Sequence, residues 1–529
     1  MKKQLSVGLS LLLMAVSANA ESVDYLRKLA YAYTVINSYY VDKTDVSKVT
    51  DDAIEGMLDK LDPHSSYLTK EKVDESREQL TGNFEGIGVS FNMVDDTLLV
   101  VQTITNGPSE RVGIMAGDKI IAVNDSSIAG VKMKNSDIMK RLRGKKGTYV
   151  NVTVLRDGHL LPFTIERDKI PVYSVDTYYM IAPGVGYIKV NRFSATTYQE
   201  VSDAVRALKK QKMTRLILDL QDNGGGLMNA ATSLADEFLD EDELIVYTQG
   251  EAQRTQRTVA SGKGKLFNRE KLVILVNEYS ASASEILSGA IQDWDRGVIV
   301  GRRTFGKGLV QRPFTLPDSS EIRLTIARYY TPSGRCIQRS YAKGRKDYEE
   351  DLLNRYKHGE FVHADSISFP DSLKYTTRVA KRTVYGGGGI MPDIFVPADT
   401  ARVDSIGRVV FNKGLVNKTV LQYLEHNRRK LRSDYSDFES FERKFEADSL
   451  ILPELLERIA ADSIPFTDEN LERNHNVFSL NLKALLARYI WGMDAYFKIY
   501  NTDNVIVQKG LEIITDDRKY EAVFKKQNQ

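Results

Sequence analysis

Arg215-Leu216-Ile217-Leu218-Asp219-Leu220-Gln221-Asp222-Asn223-Gly224-Gly225-Gly226 is the stretch on which the fold turns. Its first half is an apolar run of strand length, and its second half is a polar, glycine-rich turn. Ala230 to Leu239 then has helical spacing. Two more short apolar runs follow, Leu272 to Val276 and Val298-Ile299-Val300-Gly301. Strand, turn, helix and strand in succession predict an α/β core.

The second apolar run leads into Ser280-Ala281-Ser282-Ala283-Ser284-Glu285. Ser282 and Glu285 match a capping box ahead of a helical face of Ile286, Leu287, Ala290, Ile291 and Trp294. On local sequence alone, capping is the commoner role for such a serine. The same position also suits a nucleophile. The helix start supplies free N–H groups and a positive dipole end, and the N–H of Ala283 would lie beside an oxyanion. Asp293, further along this helix, reads as an ordinary surface carboxylate.

After the third run comes Thr304-Phe305-Gly306-Lys307-Gly308-Leu309-Val310-Gln311. Glycines on both sides of Lys307 allow close backbone approach. Burial beside an apolar group such as Phe305 would lower the lysine pKa and free its lone pair to act as a base. Serine–lysine pairs are a known variant of triad chemistry. Gln311, four residues on, shares a face with Lys307 in either a helix or a strand and could orient the amine without adding charge. Asn223-Gly224-Gly225-Gly226 lacks the Lys-Ser/Thr of a phosphate loop, and its N–H groups fit an oxyanion hole with Ala283 better. Without HExxH or paired ligands among the histidines, no metal site is expected, and no cofactor site is read.

Upstream, residues 82–171 change to short strands and glycine turns. Gly86-Ile87-Gly88-Val89 is a turn into a strand, Leu98 to Ile104 is a second strand, and Ser136 to Leu142 suits a helix. Arg156-Asp157-Gly158-His159 closes a hairpin between Val150–Leu155 and Leu160–Ile165. Before this, Leu26, Leu29, Tyr33 and Ile36, then Ile54, Met57, Leu58 and Leu61, recur at helical spacing until Asp62-Pro63. His64 reads as a turn residue rather than a base. Residues 340–382 form a charged insert with little periodicity, expected as a mobile surface loop. From about Asn412 the chain is polar and helical.

The N-terminus reads as an export signal. Lys2 and Lys3 precede an apolar Leu5–Val16, and Ala18-Asn19-Ala20 fits a cleavage site, so the mature chain would start at Glu21. No later segment is long and apolar enough to span a membrane. Lys+Arg 73 against Asp+Glu 71 gives a net charge of +2, which calls for neither nucleic acid nor an anionic membrane. The only cysteine, Cys336, excludes an internal disulfide.

The strings Tyr279 to Glu285, Thr304 to Gly308 and Gln311 resemble the C-terminal processing (tail-specific) peptidases of the S41 serine-protease family. So do Leu218-Asp219-Leu220, Tyr330-Thr331-Pro332-Ser333-Gly334-Arg335 and the glycine run ending at Asp393. The resemblance implies Ser282 as nucleophile, Lys307 as general base, Gln311 as its support, and Ala283 with the glycine turn as oxyanion donors, Gly226 first and Gly225 close by. It also implies a PDZ domain whose carboxylate-binding loop is Gly86, Ile87, Gly88 and Val89.

The expected fold is α/β and multidomain. Its parts are a signal peptide at 1–20, a helical region at 21–83, a PDZ domain at 84–170, a peptidase core at 171–400 carrying the insert, and a helical region at 401–529. The expected function is an exported, soluble, periplasmic or envelope serine endopeptidase acting on proteins with free C-terminal tails. A non-catalytic PDZ scaffold or holdase is the rival. A thioester enzyme of related core would need a cofactor site, and a chymotrypsin-like enzyme would need Gly-Asp-Ser-Gly; neither is present. The apolar helices at both ends could pack within one chain or between subunits, so a homo-oligomer or an adaptor stays open.

Overall fold

The computed structural model describes residues 20–262, 265–399 and 402–525. The expected signal peptide lies, apart from Ala20, outside the described residues. The chain divides into two units, residues 1–69 with 313–324, and residues 70–312 with 325–529.

The first unit holds helices α1 (Ala20–Tyr39) and α2 (Val46–Leu58) and strand β1 (Ser66–Leu68). The Asp45 carboxylate caps α2 by accepting from the N–H groups of Ser47 and Lys48. Asp62 accepts from His64 N–H and from both donors of Ser65, which makes the turn that Pro63 requires. β1 pairs antiparallel with Glu321–Arg323. The helical spacing read in α1 marks a stripe that stays exposed: Leu26, Leu29 and Ile36 are 61%, 50% and 46% accessible.

The second unit begins with α3 (Lys70–Thr81) and a β-rich domain. Its elements are β2 (Asn83–Gly86), β3 (Val89–Val94), β4 (Thr97–Thr103), α4 (Pro108–Arg111), β5 (Lys119–Val123), β6 (Ser126–Ser127), α5 (Asn135–Leu142), β7 (Tyr149–Arg156), β8 (His159–Glu166) and β9 (Asp168–Pro171). Strand order is β3-β4-β5-β7-β8, so β3 lies at an edge. The β7–β8 hairpin closes on the pair Arg156 and His159, with Asp157 and Gly158 at φ 49° and 78°. Those left-handed values are why Asp-Gly signals this turn.

The core follows: β10 (Val175–Ala182), β11 (Val185–Val190), α6 (Thr197–Lys210), β12 (Arg215–Asp219), α7 (Met228–Asp236), β13 (Leu244–Gly250), β14 (Gln253–Val259), β15 (Lys271–Val276), α8 (Ala283–Asp293), β16 (Val298–Gly301), β17 (Leu309–Thr315) and β18 (Glu321–Tyr330). The insert is not a structureless loop. It contains α9 (Arg345–Glu349), α10 (Asp351–Lys357) and a hairpin of β19 (Lys374–Thr376) and β20 (Thr383–Tyr385) before β21 (Ile394–Phe395). The C-terminal region comprises α11 (Ser405–Asn412), α12 (Leu415–Asp434), α13 (Phe438–Lys444), α14 (Ala447–Leu450), α15 (Leu452–Ala461), α16 (Asp468–Trp491), α17 (Met493–Tyr500), α18 (Val505–Thr515) and α19 (Asp517–Ala522).

The central sheet runs β10-β11-β12-β15-β16-β21, parallel from β11 onward with β10 antiparallel at one edge. Alternate strand residues serve opposite faces. Ile188, Leu216, Leu218, Leu272 and Ile274 pack with Val205, Leu208, Leu234, Leu287 and Ile291 from α6, α7 and α8. Tyr187, Ile217, Val273 and Leu275 pack with Ile506, Val507, Ile513 and Ile514 from α18. Both faces are covered, so the strands read as unbroken apolar runs. The carboxyl ends of the adjacent strands β12, β15 and β16 release the glycine turn, the serine loop and the lysine turn in that order. That is where open parallel sheets place their sites.

The packing of α18 makes a prediction. Ile514 is fully buried against the sheet, so Ile514→Ala should cost about 2–5 kcal/mol. Urea unfolding followed by circular dichroism should show that loss; an unchanged midpoint would mean that α18 does not close the sheet.

Candidate active site

The three serines of the Ser-Ala-Ser-Ala-Ser string are not equivalent. Ser280 and Ser284 are fully buried. Ser280 Oγ donates to the Leu220 carbonyl at 2.7 Å, and Ser284 Oγ donates to the Asn223 carbonyl at 2.8 Å. Both therefore tie the serine loop to the glycine turn. A reciprocal pair between Asn277 and Asp222 strengthens the tie. Ser282, between them, is partly accessible.

The backbone of Ser282 lies at φ 56° and ψ −111°. A capping serine normally sits in the extended region. A non-glycine residue held in a sparsely populated region costs about 1–3 kcal/mol and persists only where its surroundings enforce it. The glutamate half of the expected capping box is made, with Ser282 N–H donating to Glu285 Oε2 at 2.8 Å.

The glycine turn presses against this serine. A β-carbon on Gly225 would come 2.8 Å from Ser282 Cβ and 3.0 Å from Ala283 N, so only glycine fits. Gly225 N–H is taken by Asn223 Oδ1 at 2.9 Å. Among the described residues, the N–H groups of Gly226 and Ala283 donate no hydrogen bond. The turn thus leaves Gly226, rather than Gly225, with a donor to spare beside the start of α8.

Lys307 is joined to Ser282 through two buried side chains. Glu285 is fully buried and accepts from Ser282 N–H, Thr304 Oγ1 (2.5 Å), Gly306 N–H (2.7 Å) and Lys307 N–H (2.9 Å). Tyr329 OH lies 2.7 Å from the Lys307 carbonyl and 3.2 Å from the Ser282 carbonyl, donating to both. Burial lifts the Tyr329 phenol far above its ordinary pKa, which keeps it a donor. Gly306, at φ 88°, abuts Gly389 of the glycine run; a β-carbon there would be 3.1 Å from Gly389 N. Gln311 sits in β17 and donates to Thr325 Oγ1 at 3.3 Å.

The insert and Arg339, the residue just before it, brace the same turn. Arg339 is sandwiched between Phe305 and Tyr348, 3.9 Å from each ring centroid, and pairs with Asp351. Arg355 is buried and donates to the carbonyls of Thr304 and Arg303. Where the sequence showed little periodicity, the insert carries helices and a hairpin, and its side chains stack and pair with the turn at close range.

Asp293 is another correction. It is not a surface carboxylate but fully buried, accepting from Arg335 (2.7 Å), Thr331 Oγ1 (2.5 Å) and Ser333 N–H (2.8 Å). These bonds fasten Tyr330–Arg335 to the end of α8. Removing one partner of such a pair costs about 3–5 kcal/mol. The signal for Asp293 and Glu285 was present in the sequence. Almost every other residue of α8 is apolar or small, so its acids had to be buried and paired.

In the β-rich domain, the carbonyl of Ile87 accepts from both donors of Ser109, and that of Gly88 accepts from Ile104 N–H. Among the described residues, the N–H groups of Ile87 and Gly88 meet no acceptor. They lie in the loop between β2 and β3, with Gly86 and Val89 on either side.

Residues 184–345 match peptidase family S41, and residues 86–166 match the PDZ domain family. Residues 10–72 match the N-terminal domain of the activating protease CtpB, and residues 408–492 match a family of unknown function. A carboxy-terminal-processing protease of Bartonella bacilliformis is 34% identical over 361 residues, covering 67% of this chain and 82% of that protein. A probable CtpA-like serine protease of Staphylococcus epidermidis is 35% identical over 320 residues, 60% of this chain and 64% of that one. Among solved structures, the photosystem II D1 C-terminal processing protease is 25% identical, with a TM-score of 0.36, over 73% of this chain and 95% of that chain.

Glu285 generates the prediction for this site. Burial pushes its carboxyl above the usual glutamate range, while the hydrogen bonds it accepts pull the other way. An acid whose folded pKa is raised contributes most to stability below its unfolded pKa and loses that contribution as pH rises through the folded value. Glu285→Gln abolishes this titration and puts a donor where N–H groups need an acceptor. The variant should lose at least about 100-fold in peptidase kcat/KM. Its urea midpoint relative to wild type should fall as pH drops from neutral into the glutamate range. Full activity in Glu285→Gln would show that the carboxylate does not position the site.

Proposed function

Since this chain belongs to peptidase family S41 and carries a PDZ domain, we propose that it hydrolyses proteins selected by their C-terminal tails, through a Ser282–Lys307 pair. Ser282 Oγ attacks the scissile carbonyl carbon as neutral Lys307 Nζ takes its proton. The oxyanion accepts from the N–H groups of Ala283 and Gly226. Lys307 then protonates the leaving amine, and the acyl group stays on Ser282. Water, deprotonated by Lys307, attacks the ester, and Ser282 regains its proton as the acid product leaves. Gln311 orients the Lys307 amine across the start of β17.

One observation carries this reading. Glu285 and Tyr329 together grip the N–H and C=O groups of both Ser282 and Lys307. A serine that merely capped α8 would need neither that clamp nor its backbone conformation, which counts against the scaffold or holdase reading.

The tail would add to the β3 edge, with its terminal carboxylate on the N–H groups of Ile87 and Gly88 and with Gly86 and Val89 shaping the loop. The β3 side chains Val89, Phe91 and Met93 pack against the domain core, which favours an apolar tail. The proposal includes export to the periplasm or envelope, supported by the basic, apolar and small-residue pattern of residues 1–20. Among the described residues, no helix is long and apolar enough to cross a membrane. The exposed stripe on α1 leaves room for a second subunit or an adaptor.

Ser282→Ala and Lys307→Ala should each reduce cleavage of a loosely folded protein with an apolar tail by at least about 1,000-fold. The double variant should be no worse than either single one, because the two residues act as a unit. Cleavage that survived Ser282→Ala would assign the chemistry to another group. N-terminal sequencing of the exported protein should begin at Glu21; a chain starting at Met1 would refute the cleaved signal.

A further inference from the structure

Strand β4 reads Leu98-Leu99-Val100-Val101, and all four residues are at most 6% accessible. An isolated PDZ sheet has a wet outer face, so such a strand should alternate apolar and polar. Here the alternation separates two cores. Leu98 and Val100 join Ile120, Val152 and Val154 inside the PDZ domain. Leu99 and Val101 join Val420, Leu421 and Leu424 of α12 in the C-terminal helical core.

A polar rim surrounds this apolar patch. Lys119 on β5 reaches both carboxylate oxygens of Glu425, at 2.8 and 3.1 Å. Arg429 lies 3.5 Å from Asp157 of the β7–β8 turn. Between them Arg428 lies against Gly117, where any β-carbon would overlap its guanidinium. Residues from β4, β5, the 113–118 loop and the β7–β8 turn all meet one helix, α12.

The other end of the same C-terminal region is fixed to the peptidase core. α18 covers the sheet through Ile506, Val507, Ile513 and Ile514. Asn501 donates to Tyr179 OH of β10 at 2.9 Å. The region therefore bridges the two domains. The strand it grips is next to the tail strand: β3 pairs with β4 in a register that sets Phe91 opposite Val100 and Met93 opposite Leu98.

We propose that the helical module of residues 405–491 is a docking platform for this chain's own PDZ sheet, holding the tail-binding strand β3 in one position relative to Ser282. The proposal rests on the tail-selecting peptidase reading above. A captured tail then delivers its chain at a higher effective concentration than a PDZ domain pivoting on its two connections would supply, because fewer of its positions are unproductive. The platform lowers KM for tailed substrates and has no part in the bond-breaking step.

The test uses the full mature chain with two variants. Glu425→Lys with Arg429→Glu reverses the rim with exposed side chains only, and Leu99→Glu sets a charge into the apolar patch. Hydrogen exchange should rise in β4 and α12 in both. With the PDZ released, KM for a tailed protein should rise about tenfold at unchanged kcat. Two controls should not move: the affinity for a fluorescent apolar tail peptide, and the cleavage rate of a short peptide without the tail. Those controls separate this proposal from the reading beneath it, because loss of either in wild type would condemn tail capture or peptidase action themselves. Unchanged exchange in Leu99→Glu, an unchanged KM in a released variant, or a rise in activity on release would each overturn the platform.

Discussion

The site depends on one buried carboxylate. Glu285 stands on the first turn of α8, and its two oxygens reach the backbone of Ser282 on one side and of Gly306 and Lys307 on the other. The serine loop leaves β15 and the lysine turn leaves β16, so their approach is not set by chain connectivity. A fully buried acceptor between them sets it instead. Tyr329 repeats the link through the carbonyls. Burying Glu285 is unfavourable at neutral pH, as its raised pKa records. What the buried carboxylate supplies in return is geometry, since it holds four donors from two separate loops.

That geometry needs a rigid floor, which the parallel sheet supplies. Its strands bury residues on both faces, so the sheet is stable only when helices cover each one. α6, α7 and α8 cover one face from within the peptidase segment, while α18 arrives from more than two hundred residues downstream. The C-terminal region is thus part of the catalytic fold and not an appendage. The same logic extends to the insert, where Arg355, with Arg339 just ahead of it, reaches inward to Arg303, Thr304 and Phe305 at the start of the lysine turn.

Features governed by local rules were legible in the sequence. The apolar runs of β12, β15 and β16, the Asp-Gly hairpin and the start of α8 each depend on neighbours within a few residues. The S41 assignment was legible as well, because its strings cluster on the three loops that leave those strands. What escaped depends on distant partners. The burial of Asp293 could have been read from its apolar helix, but its partner Arg335, forty-two residues away in sequence, could not. The insert looked loose because its order comes from cationic stacking, which has no period. The spacing on α1 marked a helix without saying what would cover its stripe, and Leu26, Leu29 and Ile36 are exposed.

Strand β4 joins these two kinds of information. Its four consecutive apolar residues fit a strand buried on both faces, and that much is local. Which surface covers the second face is not local at all, since α12 lies about three hundred residues onward. A run of this kind inside a PDZ-like domain therefore signals a docked neighbour without naming it. Here the neighbour is the region that matches a family of unknown function. That region covers the PDZ sheet through α12, and the chain that follows it covers the peptidase sheet through α18, so two different sheets depend on successive parts of the C-terminal region.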